Sequence, residues 1–221
     1  MRLNERMAAF VDADLYVVIT EAFCAERPPL EILSAALDAG VRLVQLREKD
    51  IPDRTFYRQA LQFRDFTASK NSLLIVNDRI DIALAVEADG VHLGQDDLPV
   101  EAARSLAPDL IIGCSTHSVA EAVSAQKVGA GYVNIGPIFP TQTKSHASGA
   151  LGPDAIESIA VHLDIPLTVM GGINLSNIDR VLERGAKRVA VVTAVTAAKD
   201  VKAACLAIRE RIMESRSQRA S

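Results

Sequence analysis

Short apolar runs alternate with segments of helical period along most of the chain. Eight of these runs have strand length and are rich in Val, Ile and Leu at successive positions, which is typical of parallel strands buried on both faces. The strands are predicted at residues 15–20, 41–46, 73–77, 90–93, 110–114, 132–135, 167–170 and 188–193.

The segments between these runs carry apolar residues three or four positions apart, which predicts amphipathic helices. Leu30, Leu33 and Leu37, for example, share one helical face. Several of these segments end at a Gly, which lets a helix stop and the chain turn back at once. Eight strand–helix units in 221 residues predict an α/β protein with one domain over 1–221, a (β/α)8 TIM barrel.

The sequence also bears on a competing fold and on the two ends of the chain. No Gly-x-Gly-x-x-Gly follows the first predicted strand, which argues against an open dinucleotide-binding sheet. Leu3, Met7 and Phe10 have helical spacing and predict an extra helix over 1–12 that could plug the bottom of the barrel. Residues 214–221 are polar and predict a frayed end.

Charge and cysteine content narrow the expected partners and compartment. The formal net charge is −4 and no basic stripe stands out, so we expect no nucleic-acid partner. A membrane partner is not expected either, because no run reaches the roughly 18 apolar residues of a spanning helix. The 3 cysteines are widely spaced without a Cys-x-x-Cys, as in a reduced cytoplasmic protein.

Polar residues collect just after the predicted strands, where a barrel of this type carries its functional groups. Gln45, Arg47 and Lys49 alternate from the end of the second strand, so their side chains point the same way if the strand continues. Two cations and an amide directed into the mouth of a barrel favour the binding of an anion and a polar ring. The alternative is an exposed, charged strand end.

Two carboxylates follow consecutive predicted strands, Asp78 after the third and Asp97 after the fourth. If they face one another, they suit Mg²⁺, which prefers one or two carboxylates together with waters and phosphate oxygens. Each could instead cap the helix that follows it. Asn77, next to Asp78, could orient a heterocycle or a phosphate.

The loops after the seventh and eighth predicted strands indicate a second anion site. Gly171 and Gly172 permit close backbone approach to a ligand, and Val192 and Thr193 follow on the neighbouring strand. Barrels often bind a phosphate at these two loops. The sequence therefore indicates a monophosphate there, apart from the cations and carboxylates of the first site.

The long loop over 136–152 adds hydroxyl groups and one ammonium. Thr141, Thr143 and Lys144 could contact phosphate oxygens, with Lys acting as a compact point charge. The small residues over 145–149 are typical of a mobile lid, and a plain solvated loop is the alternative. An enzyme that joins a diphosphate to a monophosphate compound and releases pyrophosphate would use both anion sites and the metal.

The sequence does not assign a single role to three residues near the strand ends. His92 could be a buried, hydrogen-bonded residue or could face a ligand, and His117 could line the site or cap a helix. Nothing near Cys114 predicts an activated thiolate. No Ser/His/Asp arrangement is evident either.

Six motifs follow one another in order. They are Gln-Leu-Arg-Glu-Lys at 45–49, Val-Asn-Asp at 76–78, Asp-Gly-Val-His-Leu-Gly-Gln-Asp-Asp at 89–97, Gly-Cys-Ser-Thr-His at 113–117, Gly-Pro-Ile-Phe-Pro-Thr-Gln-Thr-Lys at 136–144 and Gly-Gly-Ile at 171–173. Together they resemble the thiamine-phosphate synthase family, also called thiamine-phosphate pyrophosphorylase, over roughly 15–201. The chain departs at Met170, where the family more often has Gly, and in detail over 145–150.

The resemblance implies a (β/α)8 barrel and a transferase of thiamine biosynthesis. Its two small phosphorylated substrates would be 4-amino-2-methyl-5-hydroxymethylpyrimidine diphosphate and 4-methyl-5-(2-phosphoethyl)thiazole, and its products thiamine monophosphate and pyrophosphate. The transfer would be dissociative and assisted by Mg²⁺. A homo-oligomer is compatible with the sequence.

The resemblance also assigns residues. Mg²⁺ would be held by Asp78 and Asp97. The pyrimidine diphosphate would contact Gln45, Arg47, Lys49, Asn77, Ser115 and Lys144. The thiazole phosphate would contact Thr141, Thr143, Gly172, Val192 and Thr193.

Two rival functions are weighed against this expectation. A thiazole tautomerase, an isomerase on a similar barrel, acts on the thiazole phosphate alone and would not need the diphosphate residues. A non-catalytic thiamine-phosphate-binding barrel would be expected to lose the metal carboxylates. This chain keeps both sets, which favours the synthase.

Overall fold

The computed structural model describes residues 2–141 and 149–220. Its strands are β1 Leu15–Ile19, β2 Leu43–Leu46, β3 Leu73–Asn77, β4 Gly90–Leu93, β5 Ile111–Thr116, β6 Tyr132–Ile135, β7 Leu167–Val169 and β8 Val189–Val191. Each strand pairs in parallel with the next, and β8 pairs with β1, so the sheet is a closed barrel. The predicted (β/α)8 fold is confirmed.

Helices separate the strands and cover the outside of the barrel, except for α1, which precedes the first strand. They are α1 Leu3–Asp12, α2 Pro29–Asp38, α3 Asp53–Ser69, α4 Ile80–Ala85, α5 Val100–Leu106, α6 Val119–Lys127, α7 Asp154–Ala160, α8 Ile178–Leu182, α9 Thr193–Thr196 and α10 Val201–Ala220, with a 3₁₀ turn at Glu21–Phe23. Within the described residues, no helix has both the length and the apolar character needed to cross a membrane.

The alternation of side chains along each strand divides the interior into two cores. In β1, Leu15, Val17 and Ile19 belong to the core between the barrel and its helices. Tyr16 and Val18 belong to a smaller core inside the barrel. Because successive strand residues point to opposite faces, a polar residue at an inward position enters the barrel itself.

The helix α1 closes the bottom of the barrel, as the sequence predicts. Phe10 is fully buried and its ring centroid lies 4.4 Å from that of Tyr132 inside the barrel. Arg188, just before β8, donates from Nε to the Phe10 carbonyl at 2.9 Å, and its guanidinium lies 5.4 Å from the centroid of the Phe10 ring. The end of the barrel that stays open is therefore the opposite one, where the strands end.

The C-terminal end differs from the sequence prediction. The sequence predicts a frayed end over 214–221, whereas α10 continues through residue 220. Arg216 explains much of this, because its Nη2 donates to the carbonyls of Ala13 and Lys187, each at 2.6 Å. A polar segment is here attached to the body of the protein by long side chains rather than by apolar ones.

Candidate active site

Two adjoining cavities open where the barrel strands end. The first has a volume of about 270 Å³ and lies over β2 to β5. The second has a volume of about 680 Å³ and lies between the loops that follow β6, β7 and β8. Phe23, Met170 and Val192 line both cavities, so ligands in the two would lie side by side.

The strand-end positions bring most of the candidate residues to these cavities. Gln45 is almost fully buried at an inward position of β2, Asn77 is the last residue of β3, and Ser115 lies near the end of β5. The first cavity is lined by Gln45, Arg47, Lys49, Asn77, Asp78, Asp97 and Ser115, and by Val192 from the second group.

Asp78 is held in a conformation that points its carboxylate into the first cavity. Its backbone is left-handed, with φ of 59°, and its N–H donates to the His92 carbonyl at 2.8 Å. The carboxylate forms an ion pair with Lys49. The N-cap residue of α4 is Arg79, so Asp78 does not take the capping role that was its alternative.

Asp97 is the second carboxylate, and it accepts a hydrogen bond from a backbone N–H close to it in the sequence. Its Oδ2 accepts from the Gly94 N–H at 2.6 Å. The helix that follows begins at Val100 with Pro99 as its N-cap residue, so Asp97 closes a turn after β4 and does not cap the helix. This turn holds the carboxylate over the cavity that Asp78 also lines.

The Asp78 and Asp97 carboxyl groups lie within hydrogen-bonding reach of each other. Burial raises the pKa of Asp78, and the Asp97 carboxylate raises it further, while Lys49 opposes both effects. Burial also disfavours the ionised form of Asp97, but the hydrogen bonds from Asp78 and the Gly94 N–H lower the pKa of Asp97 below its usual value. Two carboxylates this close repel one another, so a cation bound between them would stabilise the ionised form of both.

The donor set at this place fits a hard divalent cation. Both donors are carboxylates, and within residues 2–141 and 149–220 no group of three or more His, Cys, Asp and Glu side chains could hold a metal. Most coordination positions would then be left to water and to phosphate oxygens. That mixture is typical of Mg²⁺ and unlike the all-protein cages of Zn²⁺.

The second cavity receives the other candidate residues that the structure describes. Gly172 has φ of 62°, and a Cβ there would lie 2.5 Å from the Pro140 carbonyl oxygen, so the loop after β6 packs directly on this residue. Thr193 opens α9 on the opposite side. The lining residues include Thr141, Gly172, Val192 and Thr193. Thr143 and Lys144 lie outside the described residues.

His92 combines the two alternatives that its sequence position leaves open. It is buried, with Nδ1 2.9 Å from the Tyr132 hydroxyl oxygen and Nε2 2.9 Å from Ser115 Oγ. It also lines the first cavity. His92 therefore lines the cavity and is also a hydrogen-bond partner of Ser115, a candidate binding residue.

His117 and Cys114 have simpler settings. The backbone N–H of His117 donates to Glu121 Oε2 at 2.8 Å, and its ring Nδ1 lies 2.9 Å from the same oxygen. The N-cap residue of α6 is Ser118, so His117 precedes the helix and contacts its first turn through Glu121 without being the cap. Burial raises the pKa of the Cys114 thiol to about 11, which agrees with the absence of an activated thiolate in the sequence analysis.

Phe23 is a site residue that the sequence analysis missed. It lies in the turn after β1 and faces both cavities. Glu48 Oε1 accepts from the Glu21 N–H at 2.8 Å, and Thr196 Oγ1 donates to the Phe23 carbonyl at 2.6 Å. Nothing in the local sequence signals this position, because both partners come from other parts of the chain.

Comparison with known proteins gives a consistent result. Residues 15–195 match the model of a family described as thiamine monophosphate synthase. The thiamine-phosphate synthase of Chloroflexus aurantiacus is 44% identical over 203 residues, which cover 92% of this chain and 94% of that protein. The enzyme of the same name from Methanospirillum hungatei is 45% identical over 195 residues, covering 88% and 95%.

A solved structure is also similar. The thiamine phosphate pyrophosphorylase from Pyrococcus furiosus superposes with a TM-score of 0.85 at 38% sequence identity, covering 92% of this chain and 96% of that chain. The likeness therefore extends over nearly the whole length of both chains.

Proposed function

The chain belongs to the thiamine monophosphate synthase family, and from this premise we propose that it joins 4-amino-2-methyl-5-hydroxymethylpyrimidine diphosphate to 4-methyl-5-(2-phosphoethyl)thiazole. The products are thiamine monophosphate and pyrophosphate. The observation that carries the proposal is the pair of cavities that share Phe23, Met170 and Val192 as a common wall. A two-substrate transfer needs two sites in contact, whereas a thiazole isomerase needs only one.

The first cavity suits the pyrimidine diphosphate. Arg47 and Lys49 supply positive charge to this cavity, and Asp78 and Asp97, which also line it, would hold Mg²⁺. Arg can grip a phosphate with two parallel N–H groups, while Lys acts as a point charge. Lys49 is paired with Asp78 in the structure, so its ammonium lies next to the proposed metal site.

The bond that breaks joins the exocyclic carbon of the pyrimidine to the diphosphate oxygen, and its electron pair leaves with pyrophosphate. The aminopyrimidine ring can stabilise the resulting cation, so the leaving charge is the main barrier. Arg47 and Lys49 stabilise that charge electrostatically in a partly enclosed site. When bound, Mg²⁺ adds positive charge against the same leaving group.

The new bond forms from the lone pair of the thiazole nitrogen to the exocyclic carbon. This nitrogen carries no proton, so the step needs no general base. The phosphate of the thiazole would bind near Gly172 and Thr193 in the second cavity. Binding the phosphate there would direct the thiazole ring toward the wall that the two cavities share. Such positioning lowers the entropic cost of the reaction.

The first test is formation of thiamine monophosphate from the two purified substrates, with Mg²⁺ and with excess EDTA. We expect product with Mg²⁺, no product with EDTA, and recovery when Mg²⁺ is added back. Full activity in EDTA would overturn the metal assignment to Asp78 and Asp97. Absence of product under both conditions, from protein with an intact circular-dichroism spectrum, would overturn the proposed reaction.

Thr193 provides a test of the second cavity. Thr193→Val keeps the shape of the side chain and removes its hydroxyl, so we expect the KM for the thiazole phosphate to rise about tenfold with little change in kcat. Steady-state kinetics with each substrate varied in turn would measure this. Thr55→Val, on the exposed face of α3, is the matched control. A lowered kcat with an unchanged KM would contradict the binding role.

A further inference from the structure

A line of hydrogen bonds crosses the inside of the barrel beneath the first cavity. Gln45 Nε2 donates to the Tyr16 hydroxyl at 2.6 Å, and the Tyr16 and Tyr132 hydroxyl oxygens are 3.0 Å apart. Tyr132 Oη lies 2.9 Å from His92 Nδ1, and His92 Nε2 lies 2.9 Å from Ser115 Oγ. We call these five residues the interior chain. Its two end residues, Gln45 and Ser115, both line the first cavity.

The middle of the interior chain is enclosed by the barrel. Tyr16 and Tyr132 are fully buried among apolar side chains, and this burial raises the pKa of each phenol well above its usual value. Both phenols are therefore neutral, with one proton each. Gly113 makes room for Tyr132, because a Cβ there would lie 2.1 Å from Cζ of the Tyr132 ring.

Proton counting gives the interior chain a direction. A phenol hydroxyl carries one proton, and each of the two phenol oxygens has two partners in the interior chain, so a phenol that accepts from one partner donates to the other. Gln45 donates to Tyr16, so Tyr16 donates to Tyr132 and Tyr132 donates to His92 Nδ1. His92 then carries its proton on Nε2 and donates to Ser115.

The two ends consequently present opposite polarity to the first cavity. One N–H of the Gln45 amide donates to Tyr16 inside the barrel, and the amide oxygen has no partner within the interior chain, so it remains as an acceptor for a ligand. Ser115 accepts from His92, so its own proton is left as a donor. Surrounding charges favour this direction, since the cations Arg47 and Lys49 follow Gln45 closely in the sequence and the Asp97 carboxylate lines the same cavity as Ser115.

We propose that the interior chain, with His92 as its positioning residue, makes the first cavity select a heteroaromatic ring with an amino group next to an unprotonated ring nitrogen. The amino group donates to Gln45, and the ring nitrogen accepts from Ser115. A ring with a carbonyl next to an N–H has the opposite polarity at both positions. Binding it well requires reversal of all the hydrogen bonds in the interior chain. This inference rests on the proposed function only in placing the pyrimidine in the first cavity.

The test compares binding of two ligands, the 4-aminopyrimidine diphosphate and its 4-oxo analogue. Equilibrium binding by calorimetry is used rather than turnover, because the oxo group also changes the stability of the cation. We expect the wild type to bind the amino ligand at least about tenfold more tightly. Tyr132→Phe and Tyr16→Phe interrupt the interior chain at two points below the cavity, and each should reduce the ratio of the two Kd values toward one.

The third tyrosine provides the matched control. Tyr57 is exposed on α3, and Tyr57→Phe should leave the ratio of Kd values unchanged. If both interior variants remain folded and keep the wild-type ratio, the proposal is overturned. A stability loss without a change in the ratio has the same meaning, since it leaves the hydroxyls with a structural role only.

The direction of the hydrogen bonds in the interior chain can be measured separately, from the tautomer of His92. The protein has 4 histidines, so the imidazole ¹⁵N resonances of His92 can be assigned by comparison with a His92→Gln spectrum. We expect the Nε2–H tautomer in the wild type and a mixture of tautomers in Tyr132→Phe. An Nδ1–H tautomer in the wild type would overturn the proposed direction. This result stands even if no thiamine monophosphate is formed, so the two proposals can fail separately.

Discussion

Asp78→Asn should reduce the rate of thiamine monophosphate formation by about a thousandfold or more, because it removes one of two proposed metal ligands and the partner of Lys49. Asn is preferred to Ala here, since Asp78 has φ of 59° and Asn tolerates the left-handed region better than Ala does. The fold should be retained, because Asp78 does not cap α4. Turnover at saturating substrates and the melting temperature would be measured together.

Two further measurements make this result specific. Asp65→Asn removes a negative charge on the exposed face of α3 and should leave turnover unchanged. The Mg²⁺ concentration for half-maximal activity should rise in Asp78→Asn and stay the same in the control. Near-normal turnover in Asp78→Asn, at a Mg²⁺ dependence equal to that of the wild type, would show that Asp78 is not a metal ligand.

Arg47→Ala should lower kcat/KM for the pyrimidine diphosphate by about a hundredfold to a thousandfold, because the developing negative charge of the leaving group loses a cation. Arg47→Lys should recover part of this loss, since it restores the charge without the two-pronged hydrogen bonding of guanidinium. Initial rates at varied pyrimidine diphosphate and fixed thiazole phosphate would measure both variants.

The control for this prediction is Arg58→Ala, which removes an exposed cation from α3 and should have no effect on kcat/KM. The KM for the thiazole phosphate should also be unchanged in Arg47→Ala, because Arg47 lines the first cavity and not the second. Equal losses for both substrates would instead indicate a general disturbance of the barrel mouth.

The barrel could be predicted because its strands are buried on both faces and therefore appear as uninterrupted apolar runs. The ends of the strands were less well defined. The second strand is predicted over 41–46 and observed at Leu43–Leu46, because Val41 is buried but its N–H donates to the Ala36 carbonyl at the end of α2. A buried residue that closes a helix has the same hydrophobicity as one that begins a strand.

The site could be predicted in part because the ends of parallel strands meet at one side of the barrel. Candidates such as Gln45 and Asp97 could thus be grouped without knowledge of any contact. The interior chain could not be found in this way, because it joins Tyr16 to Tyr132 across 116 positions and through the barrel. The sequence signal for a member of the interior chain is a polar residue at an inward position of a strand. His92 carries this signal.

The closure of the barrel has a consequence for synthesis of the chain. The pairing of β8 with β1 and the bond from Arg216 to Ala13 join the two ends of the sequence, the latter across 203 positions. On the ribosome, β1 is the first strand to emerge, and one of its edges stays unpaired until β8 is available. An unpaired strand edge is a site for association with other chains. A nascent chain that stalls before β8 is therefore an open sheet exposed to aggregation, and the pairing of β8 with β1 ends that exposure.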